Sequence, residues 1–138
     1  MPGPPANFAS LLRARRGYLG SHSPEGVAEV LPVCFTWAGG FIWIPIEAGD
    51  VTTEAVLSIA DGGGRICFLV DRWDEDWTKL AWLQAWGWAT LLEDDEEAQR
   101  ATQALTSKYT QYLKKPRELV IVRLEVEEWR VWEPNGGS

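Results

Sequence analysis

Between Asp71 and Leu92 the chain reads DRWDEDWTKLAWLQAWGWATLL, which holds five of its nine tryptophans: Trp73, Trp77, Trp82, Trp86 and Trp88. From Leu80 onward the large side chains fall on every second residue: Leu80, Trp82, Gln84, Trp86 and Trp88. An alternation of this kind is the repeat of an extended strand, whose successive side chains point to opposite faces. The segment is therefore a strand that gathers its aromatics on one face. Asp74-Glu75-Asp76 just before it is too charged to be core and forms a loop feeding the strand. Indole rings bury a large apolar area, and they also make a flat wall for a planar ligand.

A chain of 138 residues makes one domain with a single core. Its 46% hydrophobic and 12% aromatic content excludes a disordered chain. The domain is expected over residues 7–133, after a disordered start at 1–6 and before a tail at 134–138. A net charge of −7 argues against nucleic acid and against an anionic membrane surface, since both demand a basic face. No apolar stretch approaches the ~20 residues of a membrane span, and the N-terminus lacks a signal peptide's apolar core. A cytoplasmic location is the expectation. Cys34 and Cys67 both lie in apolar strand patterns and read as reduced core thiols.

The order of elements follows from pattern and punctuation. A short helix is expected at 7–15, with Leu11 and Leu12 inward. Strands follow at 17–21, 27–37 and 41–47, the last two joined by the hairpin turn Ala38-Gly39-Gly40. Pro32 and Pro45 inside strands indicate edges or bulges, where a missing N–H is tolerated. Thr52 or Thr53 caps a helix ending at Asp61, and Gly62-Gly63-Gly64 breaks the chain. Next come an apolar strand at 65–71, the tryptophan strand, and a long helix from Asp94 or Asp95 to Lys115. That helix keeps Ala98, Ala101, Leu105, Tyr109 and Tyr112 on one face and can pair Glu96 with Arg100. A final long strand covers 118–132. The reading is mainly β: a six-stranded antiparallel barrel with short flanking helices.

Residues able to do protein-borne chemistry are few. His22, the lone histidine, sits between two serines beside a Pro-Glu-Gly turn and reads as an exposed loop residue. No Ser-His-Asp or Cys-His arrangement can be built on it. Asp71, Asp74, Glu75 and Asp76 lack the spacing and glycine of a calcium loop, so they read as a solvated loop and no metal is expected. Gly62 to Gly64 do not join a strand to a helix as a nucleotide fingerprint would.

Several of these pieces resemble a known family. Asp71, Asp74-Glu75-Asp76-Trp77, Leu80, Trp82 and Gly87 are similar to the "LVD-x-x-x-EDW-x-x-L-x-W-x-x-x-x-G" stretch of the pyridoxamine 5′-phosphate oxidase-like split barrels, small FMN and deazaflavin proteins. Arg16-Gly17-Tyr18-Leu19 through Leu31-Pro32-Val33-Cys34-Phe35 resembles that family's opening hairpin and "VPVCF" strand. Lys108-Tyr109-Thr110-Gln111-Tyr112 resembles its "KYPQY". The resemblance implies a homodimeric split barrel binding FMN or a deazaflavin coenzyme at the subunit interface. The bound ring would exchange a hydride with a small-molecule substrate and carry the redox chemistry without a catalytic side chain. The cofactor-binding positions it implies are Pro32, Val33, Cys34 and Phe35 along the strand, with Ile44, Thr52, Thr53, Trp77, Gln84 and Trp129.

The chain departs from that pattern where relatives hold the cofactor's phosphate. They carry a basic "KPK" or "SRK" segment after the third strand. Here Glu47-Ala48-Gly49-Asp50-Val51-Thr52-Thr53 has no lysine or arginine and two acids. Arginines common on the tryptophan strand of relatives are replaced by Gln84, Trp86 and Trp88. A phosphate there would have only the amides at Thr52 and Thr53, a weaker clamp than a guanidinium fork. A second reading follows: a degenerate barrel without cofactor, acting as a non-catalytic binding or assembly protein.

Overall fold

The computed structural model describes residues 3–22, 25–47, 64–92, 95–114 and 119–134. Seven strands form one antiparallel sheet: β1 (Gly17–His22), β2 (Ala28–Val33), β3 (Thr36–Ala38), β4 (Phe41–Glu47), β5 (Arg65–Arg72), β6 (Ala81–Leu91) and β7 (Leu119–Trp132). Their spatial order is β2-β1-β5-β6-β7-β4-β3. The mainly β, antiparallel reading holds, but the strand count is seven rather than six.

The difference lies in the segment expected as one strand over 27–37. β2 pairs with β1 at one edge of the sheet and β3 pairs with β4 at the other. Only Cys34 and Phe35 join these two edges. A link that short forces the sheet to curl and brings its two edges near one another without pairing them, which makes a half-barrel. Phe35 has left the ladder: its amide donates to the Tyr109 hydroxyl at 3.2 Å, and its side chain is fully buried. Both prolines lie where an edge tolerates them. Pro32 is on edge strand β2, and Pro45 lies beyond the part of β4 that β3 covers.

Leu19, Phe35, Ile42, Ile44, Phe68, Leu83 and Leu124 fill the concave side. A 3₁₀ helix over Ala6–Arg13 plugs it with Phe8, Leu11 and Leu12. β6 alternates as expected, and its inward set is small: Ala81, Ala85, Gly87 and Ala89 around Leu83. Crowding explains the small set. A Cβ on Gly87 would lie 1.9 Å from the Glu125 carbonyl oxygen, at the bulge between Trp86 and Gly87. Trp82, Gln84, Trp86 and Trp88 accordingly point to the convex side.

One half of that convex side is covered by α1 (Glu96–Lys108), which buries Ala101 and Leu105 with Tyr109 against Trp43 and Ile121 of β4 and β7. Asp95 caps it, its carboxylate accepting from the Ala98 amide at 3.0 Å, and Glu96 meets Arg100 at 3.9 Å as the spacing predicts. The single long helix expected to Lys115 is interrupted at Tyr109 and Thr110. A short α2 (Gln111–Lys114) follows, because Tyr109 turns its hydroxyl to the sheet. The helix expected between Thr52 or Thr53 and Asp61 lies outside the described residues.

Candidate functional site

No described element covers the other half of the convex side, over β1, β5 and β6. Directly opposed residues in an antiparallel ladder share a face, so the register can be read as rows across it. One row runs Pro32, Tyr18, Leu69, Gln84, Arg130. The next, toward the β5–β6 loop, holds Asp71, Trp82 and Trp132. On the opposite side lies the row Val30, Gly20, Cys67, Trp86, Glu128. The result is a broad, partly apolar surface with tryptophan at its centre.

Trp86 is fixed in orientation. Its indole N–H donates to the Gln84 side-chain oxygen at 3.1 Å, and the guanidinium groups of Arg130 and Arg65 lie 4.8 and 5.7 Å from its ring. Beside it, burial pushes the Cys67 thiol up, with Arg130 and Arg65 opposing that shift. Cys34 and Cys67 are free thiols as expected, but both are half-buried rather than core residues.

The acidic loop is ordered by its own acids. Asp74 accepts from the Asp76 amide at 2.8 Å, and Asp76 accepts from both the amide and the hydroxyl of Thr78. The Thr78 hydroxyl holds the Asp76 carboxyl below its ordinary range. Arg72 closes the loop by donating Nε–H to the Lys79 carbonyl at 2.6 Å. This frame presents Trp73 and Trp77, 64% and 66% exposed, with ring centroids 6.5 Å apart. A large apolar side chain held outward on a rigid loop is a contact surface waiting for something.

The ten positions implied at the sequence level divide by face. Pro32 and Gln84 share the exposed row, and Trp77 stands on the loop at the end of the sheet where that row lies. Val33, Phe35 and Ile44 are buried in the concave core. Cys34 packs against the cluster under α1. Trp129 also turns to the concave side, where it packs edge-on against Trp37 at 5.4 Å, while Trp132 faces outward opposite Trp82. Thr52 and Thr53 lie outside the described residues. Sequence reading missed Tyr18, Leu69, Arg65 and Arg130. Their every-second-residue spacing is visible in the sequence, but it does not say which strands stand side by side.

Where β2 ends, Lys108 reaches in from α1. Its ammonium lies 3.7 Å from the Phe35 ring centroid, buried and without a hydrogen-bond partner among the described residues. Burial draws its pKa down to about 8, and the nearby Arg15 acts in the same direction. The neighbouring Tyr109 hydroxyl is pushed up by burial. Among the described residues no group of His, Cys, Asp or Glu side chains is placed to hold a metal ion. No described helix is long and apolar enough to cross a membrane.

Against known families, the profile described as pyridoxamine 5′-phosphate oxidase matches residues 4–133. The chain belongs to that family. Solved structures agree on the split-barrel fold. A conserved hypothetical protein from Mycobacterium tuberculosis is 20% identical with a TM-score of 0.76, the match covering 96% of this chain and 86% of that one. An FAD binding protein from Mycobacterium smegmatis is 15% identical, TM-score 0.66, over 91% and 93% of the two chains. A heme storage protein from Vibrio cholerae is 12% identical, TM-score 0.73, over 93% and 92%. The curated proteins contain no match.

Proposed function

We propose that this split barrel binds a flavin or deazaflavin ring on its uncovered convex face and passes a hydride between that ring and a small organic substrate, working as a homodimer. The observation that carries the reading is the row Pro32, Tyr18, Leu69, Gln84 beside Trp82 and Trp132. It offers a flat apolar bed next to an edge strand, and an edge strand has backbone polar groups to spare. A tricyclic ring needs such a bed and such a line of donors and acceptors. The FAD binding relative supports a flavin.

When bound, the ring supplies the redox chemistry. The chain's own share is to bind, orient and exclude water. Pro32, Leu69 and Trp77 would hold the ring by apolar contact, and Gln84 would offer its side-chain amide to a polar group of it. Arg16, Arg72 and Lys79, all exposed at the same end of the sheet, are the cations available to a phosphate in place of the missing basic segment.

The absorption spectrum of the purified protein, followed by calorimetric titration with FMN, FAD and a deazaflavin coenzyme, tests this reading. The expected outcome is saturable binding with quenching of tryptophan fluorescence. Trp77→Ala should weaken binding by roughly tenfold or more while leaving stability unchanged, since each ~1.4 kcal/mol of lost contact is a factor of ten. Equal losses of binding and stability would make Trp77 a structural residue.

A second reading rests on the acidic stretch Glu47 to Thr53, which has two acids and no cation. On that basis the protein is a non-catalytic binding or assembly barrel. Failure of all three cofactors to bind would establish it over the first.

A further inference from the structure

A second concavity lies on the α1-covered side, away from the tryptophan face. Its volume is about 290 Å³, and Gly39, Phe41, Trp43, Glu97, Arg100 and Arg123 line it. The β3–β4 turn builds one wall. Gly39 and Gly40 both have positive φ, 60° and 88°, as a tight two-residue hairpin requires. That turn starts β4 so that Phe41 and Trp43 share a face. The Trp43 indole N–H donates to the Ala38 carbonyl at 2.8 Å, and the Phe41 ring packs edge-on against it at 5.5 Å. The aromatic wall is therefore pre-set.

The charged wall comes from two other elements. Arg123 of β7 stands directly opposite Trp43 in the ladder, with its guanidinium 5.0 Å from the Phe41 ring. α1 contributes Glu97 and Arg100, spaced to share one helix face. Glu97 accepts from Arg123 Nη1. The Arg123 Nε–H remains buried with no hydrogen-bond partner among the described residues. Among the described residues Arg100 has only a loose, largely exposed pairing with Glu96 at 3.9 Å. Two guanidinium groups thus answer one carboxylate in this cavity, on a chain whose net charge is −7. Both guanidinium side chains keep part of their surface accessible, 24% for Arg123 and 70% for Arg100, so a ligand oxygen can reach them.

We propose that this cavity is a binding site for a small planar carboxylate, an aromatic or heteroaromatic acid. Its ring lies against Phe41 and Trp43, and its carboxylate is met by the accessible guanidinium edges of Arg123 and Arg100. The volume limits the ligand. Sites for drug-sized molecules and cofactors span about 300–1,000 Å³, so this one takes a ring with a short acid and not a flavin. The inference is independent of the reading of the convex face.

The test is NMR titration of the full chain with indole-2-carboxylate and benzoate, and with the neutral benzamide as control. The Trp43 indole N–H signal is assigned through Trp43→Phe. The acids should shift the Trp43 indole and Arg123 Nε–H signals saturably, with benzamide weaker by about tenfold or more. Arg123→Gln should abolish the shift. Because that change also breaks a half-buried ion pair, Arg100→Gln is the second variant: its side chain is 70% exposed, and it should weaken the acids about tenfold without altering the fold. Equal response to benzamide, indifference to Arg100→Gln, or shifts confined to indoles other than Trp43 would each overturn the proposal.

Discussion

The Tyr109 hydroxyl joins two segments far apart in sequence: it accepts the Phe35 amide at 3.2 Å and donates to the Arg15 carbonyl at 2.9 Å. One phenol thereby satisfies the strand break between β2 and β3 and ties the end of the N-terminal 3₁₀ helix to it. Arg15 adds its guanidinium over the Tyr109 ring at 4.9 Å. Tyr109→Phe leaves the buried Phe35 amide without an acceptor, which costs about 1–3 kcal/mol. Urea unfolding should show that loss as a lower midpoint with an unchanged slope.

Lys108 makes folding stability depend on alkaline pH. Its folded pKa of about 8 lies below the ordinary 10.5, so the buried charge is a cost wherever both states are protonated, below about pH 8. Between those two values the folded protein gives up its proton first, and stability rises. The Phe35 face attracts the ammonium but replaces none of its lost water hydrogen bonds. Lys108→Met should therefore stabilise the protein by about 1 kcal/mol at neutral pH, allowing for partial solvent screening. The advantage should vanish toward pH 10.5. Thermal melts of both forms from neutral to alkaline pH would show it.

Gly87 stands in the tryptophan strand where a side chain has no room. In Gly87→Ala the new methyl would meet the Glu125 carbonyl at 1.9 Å, and backbone cannot step aside as a flexible side chain can. A cost of about 3 kcal/mol or more is expected, read as a large drop in Tm. Gly20→Ala is the control. Its nearest neighbour would be 3.6 Å away, an ordinary contact, and the change should fall within about 1 kcal/mol.

The convex face should be closed by a second copy. Light scattering at micromolar concentration should give about twice the chain mass. Trp88 is 44% exposed on that face, so Trp88→Lys should produce a monomer with an unchanged circular dichroism spectrum. A wild-type monomer would remove the interface on which the homodimeric reading depends.

Which residues alternate is legible in the order of the amino acids. The repeat from Leu80 to Trp88 determined a strand with its tryptophans on one face, Gly39-Gly40 a hairpin, Pro32 and Pro45 edge positions, and the Glu96–Arg100 spacing an ion pair. These are local consequences of backbone period and residue geometry, acting within a few positions. Which face lies inside was settled by packing between distant segments. A period of two is symmetric between faces, and packing broke the symmetry by placing Ala85, Gly87 and Ala89 inward, where the curled sheet leaves no room for indole. Tertiary structure also separated Trp129 from Trp132 and broke residues 27–37 into two edge strands. It brought Arg65 and Arg130 to Trp86, and Arg100 and Arg123 to Trp43. Each of those meetings depends on register across strands or on helix docking, and neither is written in the spacing of a single segment.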